Sequence, residues 1–380
     1  MKSDDINGFI RDIYRKKGVI ALHEPIFAGN EKKYINEAID STFVSSVGRF
    51  VNDFELQVEN FTGTKKAVST MNGTAALHAS LYAIGVGAND LVITQSLTFV
   101  ATCNTICHLG AEPILLDISK KSLGLCPKAV ESFLKDNADV DKDFCVHRKT
   151  GKKIKAVVPM HTFGHPVELD ELVALCVKWK LQLVEDAAES LGSFYKKQHT
   201  GTFGIYGAVS FNGNKIITTG GGGMVLCRNK NLGKNLKHLT TTAKVPHPYE
   251  FFHDKIGFNY RMTNLNAALG YAQMQVLALY LRQKRRLAKK YQSFFSGSDY
   301  KFVEEPDYAK SNYWLNSIVC PTKKSRDELI QQTNTAGIML RPIWRPMHQL
   351  PAFRGALRGD LSVTERFGPL ILNLPSSPVE

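Results

Sequence analysis

The chain has 380 residues, which exceeds the ~250 to 300 residues at which a single hydrophobic core stops growing, so two domains are expected. Its apolar runs are shorter than the ~20 residues needed to span a bilayer, and it opens on no signal-like stretch, which together predict a cytoplasmic protein without a membrane partner. The formal net charge of +13 raises the possibility of nucleic-acid binding, but no recognisable nucleic-acid-binding motif accompanies the basic residues. We therefore favour a basic surface that attracts anionic substrates.

Cysteine usage agrees with a reducing compartment. The seven cysteines are scattered along the chain, and their spacing contains no Cys-x-x-Cys pair. We expect reduced, mostly buried thiols and no metal site.

Apolar runs alternate with helical patterns over the first half of the chain. The helical segments fall at about 74–84, 100–109, 127–134 and 167–179. The runs between and around them read as strands: Ala67–Thr70, Leu91–Thr94, Pro113–Leu116, Ile154–Val158 and Leu181–Val184. This alternation predicts an α/β fold with a mostly parallel sheet.

The remaining segments divide the chain. The polar stretch 135–153 reads as a surface insertion, and a long helical pattern runs from Asn264 to about Tyr291. Beyond it, the run Trp314–Val319 reads as a strand of a smaller domain. We predict a large domain over residues 1–263, which includes the N-terminal segment, and a small C-terminal α+β domain over residues 264–380.

One lysine stands between an apolar strand and a turn of four glycines. Lys215 follows Val209 and Ser210 and precedes the turn 220–223. Upstream, the buried run 181–184 ends in acidic residues, among them Asp186. A lysine and an aspartate presented this way suit pyridoxal phosphate (PLP) chemistry, in which the amine forms a Schiff base and the carboxylate keeps the pyridine nitrogen protonated.

Five ordered motifs resemble one known family. They are Asn72–His78, Leu97–Thr102, Val184–Gly192, Ser210–Met224 and Asn259–Asn264. Together they resemble the DegT-type nucleotide-sugar aminotransferases, a branch of the aspartate aminotransferase fold (PLP fold type I), over residues from about 20 to the end. The resemblance implies PLP as cofactor, with the pyridoxamine 5′-phosphate form during turnover.

The resemblance also implies roles for individual residues. Lys215 would be the catalytic lysine, which also moves the proton between the substrate carbon and C4′ of the cofactor. Asp186 would pair with the pyridine nitrogen and Phe99 would lie on the pyridine face. The phosphate would be bound by Gly73, Thr74 and Ser210.

Two further positions carry implied cofactor contacts. Glu189 stands where many family members have glutamine or histidine facing the phenolic oxygen, and a helix N-terminal carboxylate is the alternative reading. Asn259 matches the family asparagine that reaches the phosphate of the neighbouring subunit. The resemblance therefore implies a homodimer with shared active sites.

Segments around the nucleotide-sugar pocket of the family supply candidate substrate contacts. Arginines are suited to bidentate contact with a diphosphate, although surface ion pairs are as common a use. The candidates are His23, Ser46, His161, Arg341, Arg345 and His348. For His348, which could contact the sugar or the cofactor, a structural histidine is an equal alternative.

The substrate follows from the resemblance as well. The segment 212–215, the four glycines and the run 44–51 are similar to aminotransferases of legionaminic acid and bacillosamine-type pathways in bacterial surface-glycan biosynthesis. These imply a UDP-linked 4-keto-6-deoxy-N-acetylhexosamine as substrate, with glutamate as amino donor. A PLP-dependent sugar dehydratase, in which histidine replaces the lysine, and a regulatory protein that retains the fold are the alternatives. The nucleotide, the position of amination and the stereochemistry stay open.

Overall fold

The computed structural model describes residues 2–379. The helices are α1 (Ser3–Tyr14), α2 (Glu31–Asp40), α3 (Arg49–Thr62), α4 (Gly73–Ala83), α5 (Val100–His108), α6 (Pro127–Asn137), α7 (Leu169–Lys178), α8 (Lys230–Thr240), α9 (Asn264–Phe295), α10 (Lys323–Thr335) and α11 (Ser362–Phe367).

The strands of the first half are β1 (Lys66–Thr70), β2 (Asp90–Gln95), β3 (Glu112–Leu116), β4 (Ala138–Asp141), β5 (Phe144–His147), β6 (Lys153–Val158), β7 (Gln182–Asp186), β8 (Phe194–Tyr195), β9 (Gln198–His199), β10 (Tyr206–Ser210) and β11 (Gly223–Cys227). Those of the second half are β12 (Lys301–Phe302), β13 (Ala309–Lys310), β14 (Asn316–Val319), β15 (Arg341–Pro342), β16 (Leu357–Arg358) and β17 (Ile371–Leu374).

The main sheet has the order β1-β11-β10-β7-β6-β2-β3-β16. Pairing is parallel from β10 to β16 and antiparallel at the β1–β11–β10 edge. The central strands are largely apolar and, apart from the first residues of β2 and β7, buried, as expected for a sheet covered by helices on both faces. The predicted mostly parallel α/β sheet is confirmed.

The order of the strands brings the important strand ends together. β7 and β10 are parallel neighbours with Asp186 in register with Ala208, two residues before Ser210. β11 returns antiparallel, so Gly223 at its start lies opposite Ser210. Because the carboxyl ends of parallel strands meet at one edge of a sheet, side chains following β7 and β10 converge there.

The stretch 135–153, predicted as a surface insertion, forms regular secondary structure. It contains the end of α6 and the hairpin of β4 and β5, and β5 pairs antiparallel with the start of β6. Cys145 is buried, while Val140 and Phe144 remain exposed on the hairpin. Within β5, burial alternates from the exposed Phe144 to the buried Cys145 and onwards to His147, and the charged residues around the hairpin obscured this strand signal.

The C-terminal part forms a second, antiparallel sheet of order β12-β14-β17-β15. Its apolar core includes Ile318, Leu329 and Leu372, and also Ile6 and Ile10 of α1. The N-terminal helix therefore packs with the C-terminal elements. The division into residues 1–263 and 264–380 stays a prediction, and its outermost residues, Met1 and Glu380, lie outside the described residues.

Two further features bear on the sequence predictions. All seven cysteines lie within the described residues, and they are unpaired there. Across residues 2–379, the structure contains no helix with the length and apolarity needed to cross a bilayer.

Candidate active site

A cavity of about 370 Å³ opens at the carboxyl ends of β7 and β10 and the N-terminus of α4. Seven predicted site residues line it: Gly73, Thr74, Phe99, Asp186, Glu189, Ser210 and Lys215. The same wall includes Asn72, Leu77, Ala101, Met160, Ala188, Asn212, Asn214, Trp314 and Trp344.

The N-terminus of α4 forms one end of the cavity. Asn72 has an extended backbone, and its side chain accepts a hydrogen bond of 2.7 Å from the N–H of Ala75, which caps the helix. A Cβ atom on Gly73 would lie 2.8 Å from Cβ of Ser210, so only glycine allows the helix to approach β10 this closely. Free N–H groups and the Thr74 and Ser210 hydroxyls thus share one small region, which suits an anion.

Asp186 ends β7 at the floor of the cavity and is buried. One carboxylate oxygen accepts a hydrogen bond of 2.7 Å from the hydroxyl of Thr102 on α5, and the other accepts the N–H of Ala188 at 3.2 Å. These two bonds fix the orientation of the carboxylate. It can therefore present negative charge to a cation in the cavity without reorganisation.

Lys215 lies in the loop that follows β10. The two ends of this loop are joined by a hydrogen bond of 3.0 Å from the N–H of Thr219 to the carbonyl of Phe211, and the Phe211 side chain is fully buried. The Lys215 amine lies 3.3 Å from a Glu189 carboxylate oxygen and 3.9 Å from the centre of the Trp314 ring. Its position is therefore defined by an anion on one side and an aromatic face on the other.

Glu189 is buried beside Lys215. Its second carboxylate oxygen accepts a hydrogen bond of 2.9 Å from the N–H of Phe163. Burial raises the pKa of Glu189 to about 7, although the nearby Lys215 amine and the Phe163 N–H act in the opposite direction. The group is therefore able to change its protonation state near neutral pH.

These residues fit PLP. The capped helix end and the close approach of Gly73 to Ser210 form a cradle for a phosphate. The oriented Asp186 carboxylate provides a counter-charge for a protonated ring nitrogen, and the Lys215 amine lies within the same cavity. The exposed ring of Phe99 completes an aromatic wall with Trp344, the two ring centres being 6.0 Å apart.

Asn259 and the predicted substrate residues lie outside this cavity, all of them within the described part of the chain. Asn259 is exposed, in a segment that bridges to Thr241. Arg341 and Arg345 are exposed on the C-terminal part, and Ser46 is partly buried near the start of α3.

The three predicted substrate histidines make structural contacts. His161 is fully buried, with Nε2 3.1 Å from Glu185, whose carboxylate also accepts backbone N–H groups of the turn 201–204. His348 lies 2.7 Å from the Ser96 hydroxyl, and burial lowers its pKa. His23 lies 2.9 Å from the amine of Lys284, a buried lysine that also donates to the carbonyls of Trp314 and Ser376.

Among the residues not predicted from the sequence, three lining residues and Thr102, the hydrogen-bond partner of Asp186, do most to shape the site. Asn72 and Thr102 belong to motifs that pointed to the site, and the asparagine before Gly73-Thr74 is a recognisable helix cap. Trp314 and Trp344 reach the cavity from the C-terminal part, which no local pattern reveals. Trp314 is held by its indole N–H, which donates to the Asn214 carbonyl at 2.7 Å.

Comparison with known proteins identifies the family. The DegT/DnrJ/EryC1/StrS aminotransferase family matches residues 25–379. A GDP-perosamine synthase of Vibrio cholerae is 35% identical over 95% of this chain and 94% of its own length. One from Escherichia coli O157:H7 is 34% identical, covering 94% of this chain and 93% of its own length.

The fold agrees with solved structures. The aminotransferase TlmJ from Streptoalloteichus hindustanus aligns with a TM-score of 0.85 at 26% identity, covering 94% of both chains. The predicted type I fold of PLP enzymes is thereby confirmed, as is dependence on PLP, which characterises the family. The chain belongs to the DegT/DnrJ/EryC1/StrS aminotransferase family and is a PLP-dependent sugar aminotransferase.

Proposed function

We propose that this enzyme transfers the amino group of glutamate to C4 of UDP-4-keto-6-deoxy-N-acetylglucosamine, as a step of bacterial surface-glycan biosynthesis. The observation that carries the proposal is one cavity that joins the Lys215 amine, the Asp186 carboxylate and the N-terminus of α4. The UDP-linked N-acetyl sugar is supported by the resemblance of residues 212–215, 220–223 and 44–51 to aminotransferases of legionaminic acid and bacillosamine-type pathways.

A GDP-linked ketosugar is the second candidate. It is favoured by the two relatives at 34% and 35% identity, both of which are named GDP-perosamine synthases. The two candidates share the chemistry at the cofactor and differ in the nucleotide and the sugar. A dehydratase is disfavoured, because Lys215 stands where the related dehydratases carry histidine.

Each residue of the cavity has a proposed task. When bound, PLP stabilises negative charge on the substrate carbon and carries the amino group between donor and acceptor. The Nζ atom of Lys215 would move the proton between the substrate carbon and C4′ of the cofactor. Asp186, oriented by Thr102, accepts a hydrogen bond from the ring nitrogen. Thr74, Ser210 and the α4 N–H groups bind the phosphate.

We further propose a homodimer in which Asn259 contributes to the partner's site. Asn259 is exposed in its own chain and does not line the cavity described above, which supports a contact with a partner. The preceding loop exposes large apolar side chains, at Tyr249, Phe251, Phe252 and Ile256. Several large apolar side chains exposed in one segment are consistent with a protein interface.

A substrate panel tests the proposed reaction. The purified enzyme with PLP and glutamate is mixed with UDP-, GDP- and dTDP-linked 4-keto-6-deoxy sugars, and products are identified by mass and by NMR at C4. We expect a 4-amino sugar from the UDP-linked N-acetyl substrate. Amination of the GDP-linked sugar alone would transfer the assignment to the second candidate, and loss of oxygen without gain of nitrogen would indicate a dehydratase.

A further inference from the structure

A buried glutamate next to β1 contacts three cationic side chains. The Glu55 side chain, on α3, is only 1% exposed. One of its carboxylate oxygens lies 3.0 Å from Arg261, and the other lies 3.1 Å from Lys237 and 3.5 Å from Lys66. Burial alone would raise the pKa of Glu55, but these cations and the N–H of Ser69 hold it below its ordinary value.

The oxygen that contacts Arg261 also binds β1. It accepts the N–H of Ser69 at 3.0 Å and the Ser69 hydroxyl at 2.9 Å. A single carboxylate oxygen therefore joins the end of β1 to the segment that precedes α9. The Arg261 side chain is itself buried, and its Nη1 atom has no hydrogen-bond partner within residues 2–379.

The two joined segments both lead to the phosphate end of the cavity. After Ser69, the Thr70 hydroxyl donates to the carbonyl of Asn72 at 3.0 Å, so the helix cap follows directly from the end of β1. The N–H of Met71 donates to the carbonyl of Tyr260 at 2.7 Å, and Thr70 bridges to Arg261. Asn259 lies one residue before Tyr260.

We propose that Glu55 is a positioning residue for the phosphate end of the cofactor site. It sets the placement of the cradle at 72–74 and of the loop that carries Asn259, through Ser69 and Arg261. The inference rests on the proposed assignment of this cradle to the cofactor phosphate. Its test requires neither a ketosugar substrate nor catalytic turnover.

The test compares two ligands that differ only in the phosphate. The full-length protein, freed of cofactor, is titrated with 4-deoxypyridoxine 5′-phosphate and with 4-deoxypyridoxine. Neither ligand has an aldehyde, so Lys215 forms no bond with them. The dissociation constant of 4-deoxypyridoxine divided by that of its 5′-phosphate measures the phosphate preference. We expect Glu55→Gln to lower this ratio about tenfold, which is the effect of losing about 1.4 kcal/mol of phosphate binding.

Two variants complete the design. Lys237→Met removes a cation from the other carboxylate oxygen and leaves the bonds to Ser69 and Arg261 in place, so it should change the ratio by less than about twofold. Arg261→Lys keeps the charge but loses the planar guanidinium, and it should lower the ratio about fivefold. This milder change decides the question if Glu55→Gln does not fold.

Equal weakening of both ligands by Glu55→Gln or Arg261→Lys would overturn the inference, since a purely structural role leaves the ratio unchanged. An equal fall of the ratio in Lys237→Met would overturn it as well, and so would a wild-type protein without phosphate preference. If the ketosugar panel yields no amino sugar while the ratio falls as expected, the proposed reaction fails and the positioning role stands.

Discussion

The two halves of the proposed active site are built in different ways. In the cofactor half, all predicted residues except Asn259 converge in one cavity, where Asp186 and Glu189 are fixed by hydrogen bonds within the chain. In the substrate half, Arg341 and Arg345 are exposed and His161 is engaged in a buried structural bond. Much of the cofactor site is therefore organised within one chain, whereas the predicted substrate residues do not line the cavity that holds it.

The largest expected effect is on Lys215. The Lys215→Ala variant should lose at least about 10²- to 10⁴-fold in turnover, since the group that moves the proton is gone. Its melting temperature should stay close to that of the wild type, because the amine contributes no core packing. Lys230→Ala, at an exposed lysine of α8, is the control and should retain full activity. Normal transamination by Lys215→Ala would show that the cofactor half is wrongly assigned.

The adjacent carboxylates of Glu185 and Asp186 are expected to have different roles, the first in stability and the second in catalysis. Asp186→Asn should lower turnover about 10²- to 10³-fold, because the ring nitrogen loses its counter-charge. Glu185→Gln should instead lower stability by about 1.5 to 3 kcal/mol, since the carboxylate accepts three backbone N–H groups in the turn 201–204. Turnover and chemical denaturation of both variants, measured together, check the assignment. Identical profiles for the two variants would contradict it.

Asn259 tests whether the site extends across two chains. Losing one hydrogen bond to a phosphate dianion costs about 1.5 to 3 kcal/mol. Asn259→Ala should therefore bind PLP roughly ten- to a hundredfold more weakly. In mixed dimers with Lys215→Ala, one site carries both changes and the other carries neither, so activity should return at limiting cofactor. An active monomer, or verified mixed dimers without activity, would refute the shared site.

Thr102 should have a smaller effect than Asp186, because it acts through that carboxylate. Thr102→Val removes the hydrogen bond of 2.7 Å to Asp186 and should lower turnover about tenfold. Thr102→Ser keeps the hydroxyl and should recover most of the loss. Equal activities of the valine and serine variants would mean that the hydroxyl does not orient Asp186.

The effect expected from Glu189 is on stability and not on turnover, and it depends on pH. Burial raises its folded-state pKa from an ordinary value of 4.5 to about 7, so its favourable contribution to stability is full below pH 4.5 and declines as the pH rises through 7. The change is on the order of 1 to 3 kcal/mol in the cofactor-free protein. Glu189→Gln should flatten this part of the profile in denaturant titrations at pH 5 and pH 8. If the stability of Glu189→Gln changes between pH 5 and pH 8 as much as that of the wild type, a group other than Glu189 causes the pH dependence.

The difference between the halves also explains what sequence alone predicts. Asp186 and Ser210 end strands with clear apolar patterns, so their convergence follows from the rules of parallel sheets. Thr74 near the start of α4 and Lys215 in the loop after β10 were predicted from the motifs around them. Trp314 reaches the cavity through tertiary packing, and its position depends on contacts with Asn214 and Lys284 that are distant in sequence. No periodicity encodes such contacts.

The same limit applies to the predicted substrate histidines. A histidine that binds a substrate and one that satisfies a buried glutamate have the same sequence signature. His161 contacts Glu185, and only the fold brings the two together. For the substrate half, motif resemblance identifies segments of the chain, and the assignment of individual side chains in them to substrate binding stays a prediction.

Covalent mapping of the cofactor tests the central claim most directly. The holoenzyme is reduced with borohydride, digested and analysed by mass spectrometry for a pyridoxyl phosphate adduct. We predict a single adduct on Lys215, in the peptide that contains Asn212 and Asn214, and its absence from Lys215→Ala. An adduct on Lys284 or on any other lysine, or no adduct in a protein saturated with PLP, would contradict the account.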